Sequence, residues 1–514
     1  MRRGPTIAKS GRTRGPIRFV LWGSKLVGGP WFYVGRNGDR RSLRAPATSY
    51  GDTLIETPHR SRTGLFIGLA AAALVVVVGA GVAVGVVVGG KDDGPAATGP
   101  KTAVLGQDST SVRVDKRELD TLANDRSTAL VKGDLDDFLA PLDPAATTMI
   151  TKERQLFANL KKIKFARAQY APFDQVGRTA DRFGRAVTVN LDVAFVHQID
   201  GFDTDPVEEW YRWTVVKKDA KAPLVITAIG PAPADAVSNS ESVMYPAPWD
   251  KWPDMQVVKT EHTLFLVDKP MLGKTRKYAP VAETAARRVL ADWKASGVDA
   301  PVFDRFVSSL VPTRAQLGSL YQVIKGETTE AGRMMPMSTY GSDRRVGGTR
   351  SLFDAGSGFF SGGDTAEIFR HEYAHAAVEA LNANDNPDAG IWGPERWIIE
   401  GFAEYVANRG RPTVGIRGPS AAKLVRSDFK GTLPAAVAWD VPDSAVMNYH
   451  YYLGHQAFRF MAKKYGSNKV FEFTATYYRG GQSLDEVFQK VLGTSRSAFE
   501  SQWASFVRTD ARNH

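Results

Sequence analysis

The chain has 514 residues, 43% of them hydrophobic and 24% charged, and no cysteine. This mix excludes a disordered or collagen-like chain, and the missing thiols exclude a disulfide scaffold, a thiolate zinc site, an iron–sulfur centre and a cysteine nucleophile. The formal charge of +11 is unevenly placed: residues 1–63 hold 13 Lys/Arg against 3 Asp/Glu, whereas residues 64–514 hold 53 against 52. A near-neutral remainder without a basic, aromatic-interleaved stripe argues against a nucleic-acid partner.

In chain order, residues 1–63 read as a basic cytoplasmic tail. Leu65–Val88 follows, 24 residues composed only of Leu, Phe, Ile, Gly, Ala and Val. At about 1.5 Å per residue it reaches roughly 36 Å, enough for a hydrocarbon core of about 30 Å, so a transmembrane helix is expected within 64–90. The flanking Lys/Arg excess then keeps the N-terminus cytoplasmic and the C-terminal domains extracellular, in a single-pass cell-membrane protein whose bilayer contact is Leu65–Val88. Residues 91–110, rich in Gly, Pro, Ala, Thr and Asp, read as a flexible stalk.

The first folded segment, 111–235, begins with apolar positions at helical spacing (Leu119, Leu122, Ala129, Leu130), and a second helix is expected from Ala145 to Lys162. The period then changes to two in Val187, Val189, Leu191, Val193 and Phe195, with further strands expected at Glu209–Lys217 and Leu224–Ile229. Helices followed by antiparallel strands make an α+β layer. This order, with Lys132-Gly133-Asp134 and Phe138-Leu139, resembles the small nuclear-transport-factor-like domains, which implies a ligand-binding module or a spacer. A Pro/Ala/Ser-rich passage, Gly230–Pro253, separates it from a second domain at 250–510. There an alternating strand is expected over Val257–Val267, an amphipathic helix over Val281–Lys294, and mainly helix from Asp364 onward.

His371-Glu372-Tyr373-Ala374-His375 is an HExxH motif. Imidazoles at i and i+4 share one helix face and can reach one zinc ion, while Glu372 sits where it can take a proton from a water activated by that metal. Asp364 or Thr365 is the expected N-cap. A helix with two histidines on its polar face is the alternative, and a third ligand discriminates. The Gly and His of a metzincin continuation are absent after His375, which leaves a downstream carboxylate: Glu395 or Glu400, with Glu404 behind. Glu404 is either a hydrogen-bond acceptor for a ligating histidine or a solvated helix residue. Glu379 reads as a surface or supporting residue.

Trp397-Ile398-Ile399-Glu400-Gly401-Phe402-Ala403 resembles the gluzincin pattern of the aminopeptidase N group and of peptidase MA-like domains. The resemblance implies a zincin-type fold over about 255–508, with His371, His375 and Glu400 as Zn2+ ligands and Glu372 as general base. Tyr451-Tyr452-Leu453-Gly454 is similar to the family's Tyr-x-x-Gly segment, which implies that Tyr451 steadies the oxyanion; His450 and His455 are reserves. Two features depart from the aminopeptidases: a 24-residue spacer between His375 and Glu400, suggesting an inserted loop at Asn382–Gly393, and no Gly-x-Met-Glu-Asn segment for a free amino terminus. Asp354–Phe360 stands in that segment's place, either as an edge strand able to pair with a peptide or as a glycine-rich turn.

The expectation is therefore an α+β protein with a single transmembrane helix, a small nuclear-transport-factor-like domain and a mainly helical zincin-type domain. It would be a zinc metallopeptidase that hydrolyses peptide bonds of a peptide or protein substrate. The alternatives are an inactive zincin-fold surface protein used for binding or assembly, and a ligand-binding protein acting through 111–230. Two imidazoles and a carboxylate would also accept cobalt or manganese.

Overall fold

A computed structural model describes residues 112–513 except 174–181, 234–242, 322–329, 342–344, 383–393, 411–417 and 436–443. All of these belong to one compact unit, Pro100–His514. The first half runs β1 (Val112–Val114), α1 (Lys116–Lys132), α2 (Leu135–Leu139), α3 (Thr147–Leu160), β2 (Phe165–Pro172), β3 (Arg182–Gly184), β4 (Val187–Ile199), β5 (Val207–Lys217), β6 (Val225–Pro231) and α4 (Pro248–Lys251). Asp115 and Glu118 close a capping box at the start of α1, and Gly133, at φ 80°, ends it in a left-handed turn that disfavours a side chain. β2-β4-β5-β6 form an antiparallel sheet in that order. Val187, Val189 and Leu191 face the helices as the alternation predicts. From Val193 to Val196 every residue is buried, because Ala194 and Val196 join Trp210 and Ala171 in a small core on the second face.

The second half runs β7 (Met255–Lys259), β8 (Thr263–Asp268), α5 (Leu272–Ala295), β9 (Phe306–Val311), α6 (Arg314–Gly318), β10 (Gly332–Ser338), β11 (Val346–Asp354), α7 (Gly358–Ser361), α8 (Thr365–Val378), α9 (Arg396–Ala407), α10 (Gly418–Asp428), α11 (Ser444–Tyr465), α12 (Ser467–Arg479), α13 (Leu484–Val487) and α14 (Arg496–Arg512). Its mixed sheet has the order β10-β11-β9-β8-β7, parallel at β11/β9 and β9/β8 and antiparallel at both edges. Period-two alternation divides its side chains between two cores. Phe265, Phe306, Leu310, Met334 and Phe353 meet α5 and the helices from α8 onward, while Leu264, Leu266, Val307, Val311 and Met335 join the core of the first half. A bidentate ion pair from Arg350 of β11 to Asp203, at 2.6 and 3.0 Å and fully buried, also crosses from one half to the other. The two halves thus share a core across the Gly230–Pro253 passage.

Several expectations change. Val257–Val267 is a hairpin and not one strand, because Thr260 and His262 turn the chain by hydrogen-bonding the Glu283 carboxylate, Thr260 Oγ1 at 2.6 Å and the His262 amide at 2.9 Å. The helix expected from Val281 starts at Leu272 and carries Pro280 in its interior. Asp354–Phe360 is no edge strand: Asp354 ends the inner strand β11, and the glycines lead into the single turn of α7. The edge beside the motif helix is β10.

The transmembrane helix in the expected fold class is also corrected. Among the described residues no helix is long and apolar enough to cross a membrane. The longest, α5, carries charges from Lys274 to Lys294 that keep one face in water. Leu65–Val88, the tail 1–63 and the stalk 91–110 lie outside the described residues, as does the loop at 383–393. The described architecture is α+β, helical after Asp364.

Candidate metal centre

Helix α8 presents two faces of different chemistry. Asp364 caps its start, accepting from the amides of Ala366 at 2.9 Å and Glu367 at 3.3 Å. On the sheet side, Tyr373 stacks on Phe306, its hydroxyl 3.0 Å from Ser308 Oγ, and Phe369 packs edge-on against Phe353. On the opposite side His371, Glu372 and His375 enter a narrow cleft. Helix α9 brings Glu400 to them and α11 brings Tyr451.

Two glycines explain how α9 and α11 come so close. A Cβ on Gly401 would lie 2.6 Å from the Gly454 carbonyl oxygen, and one on Gly454 would lie 3.1 Å from the Trp397 carbonyl oxygen. The helices therefore cross backbone to backbone, one residue after Glu400 and one turn after Tyr451. The Glu-Gly and Tyr-x-x-Gly segments are the two sides of a single contact.

The donor atoms form a nearly equilateral triangle. His371 Nε2 and His375 Nε2 are 3.2 Å apart, and Glu400 Oε2 lies 3.3 Å from the first and 3.4 Å from the second. A tetrahedral zinc with bonds of about 2.0–2.1 Å requires ligand atoms about 3.3–3.4 Å apart. Glu400 Oε2 is buried and faces the two imidazole nitrogens, an arrangement that suits a cation shared by the three atoms. The three residues fit zinc on spacing, donor type and charge.

Electrostatics agree. Burial disfavours the His371 imidazolium, but contacts with Glu400 and Glu404 and the nearby Glu372 outweigh it and hold His371 up at about 10. Burial would likewise raise Glu400, yet the charge of His375 and contacts with both histidines hold its carboxyl well below the usual carboxylate range. The group is built around positive charge. Glu372, 3% exposed, is pushed up to about 8, chiefly by burial, with His371 opposing and Glu400 reinforcing.

Glu404 is the acceptor of the two readings left open. It is 2% exposed, its Oε1 lies 3.2 Å from His371 Nδ1, and Asn408 Nδ2 sits 3.5 Å from its other oxygen. Such a contact fixes the ring and its tautomer. Glu404→Ala is expected to weaken zinc binding about 10- to 100-fold, measured by chelator competition; an unchanged affinity would leave Glu404 a packing residue only.

Glu395 is not brought to the cluster: Trp397 Nε1 donates to it at 2.7 Å and Arg496 lies 3.6 Å away. Glu379 is fully buried and not on the surface. Among Tyr449, Tyr451 and Tyr452 of α11, Tyr452 is buried and donates to Asp510 at 2.7 Å, and Tyr449 is packed away, whereas Tyr451 lines the cleft with its ring 6.1 Å from that of His371. His450 and His455 are buried in α11 and are not part of the donor group.

Sequence reasoning missed the opposite wall. Glu330, Gly332, Arg333 and Met334, together with Arg396, enclose a cavity of about 30 Å³ with the metal-site residues. A larger recess of about 310 Å³ adjoins it, lined by Arg314, Ser357, Phe359, Ile368 and Met447. Gly332 touches the general-base candidate directly: a Cβ there would fall 2.5 Å from Glu372 Oε1 and 2.9 Å from its Cγ and Cδ. Gly332→Ala is thus expected to displace the Glu372 carboxylate; if the cleft hydrolyses a substrate, turnover should fall at least tenfold, a barrier change of about 1.4 kcal/mol, and equal turnover by the variant would refute the contact's importance.

Compared with protein-family models and with curated proteins, the chain matches none.

Proposed function

We propose that this protein is a zinc-dependent peptidase whose centre is His371, His375 and Glu400. The observation that carries the reading is the 3.2–3.4 Å donor triangle with Glu372 and Tyr451 on the same cleft. Zinc held by these three residues would supply Lewis-acid polarisation of the scissile carbonyl and lower the pKa of the attacking water. Glu372 takes that water's proton at its carboxylate and passes it to the departing amine, which leaves as a neutral group. The Tyr451 hydroxyl donates to the carbonyl oxygen as negative charge develops there.

β10 gives the substrate a way to lie. Among the described residues this strand pairs along its length only with β11, and its first residues face Glu372, so an extended peptide can add as a further strand across the cleft. The sequence has no Gly-x-Met-Glu-Asn segment, so the reading does not extend to removal of N-terminal residues.

The test is metal analysis of the purified protein with digestion of a diverse peptide library. About one zinc per chain and chelator-sensitive cleavage are expected. Zinc without any cleavage would point instead to the inactive binding or assembly module, and absence of stoichiometric metal would defeat the peptidase reading.

A further inference from the structure

The cleft contains a cation for which the chemistry above has no use. We propose that the Arg396 guanidinium binds a substrate carboxylate immediately beside the scissile bond, making Arg396 a specificity-determining residue. The inference rests on the peptidase reading and adds a substrate class to it.

Arg396 opens α9 four residues before Glu400, so both side chains leave the same helix face about 6 Å apart along the axis. It is half-buried and lines the same small cavity as His371, His375, Glu400 and Tyr451. The other arginines of the cleft have carboxylate neighbours: Arg333 lies 3.0 Å from Glu330, and Arg314 lies 3.5 Å from Asp354. Among the described residues Arg396 has no such neighbour, and the adjacent Glu395 is held by Trp397 and Arg496. Arg396 also does nothing for its helix, since a cation in the first turn opposes the helix dipole.

What remains is a planar, permanently charged fork on a residue that lines the cleft. That geometry suits a carboxylate, which arginine can bind through two parallel N–H bonds. Because Arg396 lines the same cavity as His371, His375 and Glu400, the carboxylate it meets belongs to a residue flanking the cleaved bond. Two sources share this chemistry: the α-carboxylate of a chain end and an Asp or Glu side chain.

The experiment compares paired peptides on the zinc-loaded protein. One pair ends in a free carboxylate or a carboxamide one residue beyond the cleaved bond; the other carries Asp/Glu or Asn/Gln at the flanking position inside a longer chain. A higher kcat/KM for the carboxylate member is expected in at least one pair, and the pair identifies the source. In Arg396→Gln this preference should shrink about 10- to 100-fold, the size of a charge-assisted hydrogen bond, mainly through KM, and Arg396→Lys should restore part of it, with zinc content equal in all three proteins. Calorimetric binding of the same pairs to Glu372→Gln gives a readout independent of turnover. A carboxylate preference there that depends on Arg396 would persist even if no peptide is cleaved, so failure of the peptidase reading stays separate. No preference in either pair, or one that Arg396→Gln leaves intact, overturns the proposal.

Discussion

Glu372→Gln is expected to lower peptide hydrolysis by roughly 10²- to 10⁴-fold, the usual contribution of a positioned general base, and to leave the zinc content unchanged. The substitution suits the site because glutamine has the shape of glutamate but cannot accept the proton, so the packing against Gly332 is kept. Glu372 is not a member of the donor triangle, which is why metal and activity should separate. Single-turnover cleavage alongside elemental analysis decides the matter. Residual activity within about threefold of wild type, at equal zinc, would remove Glu372 from the chemistry.

His375→Ala acts on the other half of the site. It takes away one corner of the triangle from a buried position, leaving Glu400 with one imidazole at 3.3 Å. Stoichiometric zinc is expected to fall to trace amounts. Binding to the native state alone stabilises by about 2.7 kcal/mol when free metal is 100 times its dissociation constant, so added zinc should raise the melting temperature of wild type and not of the variant. If His375→Ala keeps one zinc per chain and the same thermal response, the metal lies elsewhere.

The parts of the site readable in advance are those governed by a single helical turn. His371 and His375 are neighbours on any helix, and Glu400 and Tyr451 each precede a glycine, by one residue and by three, within a short, recognisable phrase. Glu404 could not be assigned, because helical periodicity shows which residues share a face but not what that face meets; only the approach of α8 decides that it supports His371. Glu379 reads as polar and sits fully buried for the same reason. β10 escaped notice because Gly332-Arg333-Met334-Met335-Pro336-Met337 has no clean alternation, its residues being divided between two cores and the cleft. Arg396 stood next to the motif but meant nothing until the cavity had walls. At the level of the fold, Thr260 and His262 turned an apparent single strand into a hairpin through a glutamate more than twenty residues away.

The crossing at Gly401 and Gly454 has a mechanical meaning. Since α9 and α11 touch through their backbones, the spacing of Glu400 and Tyr451 is set by two main chains and not by adjustable side chains. An ion gripped between α8 and α9 would therefore brace α11 as well, although α11 contributes no donor to the triangle. Amide exchange along α11, in residues far from any ligand, becomes a gauge of whether the centre is loaded.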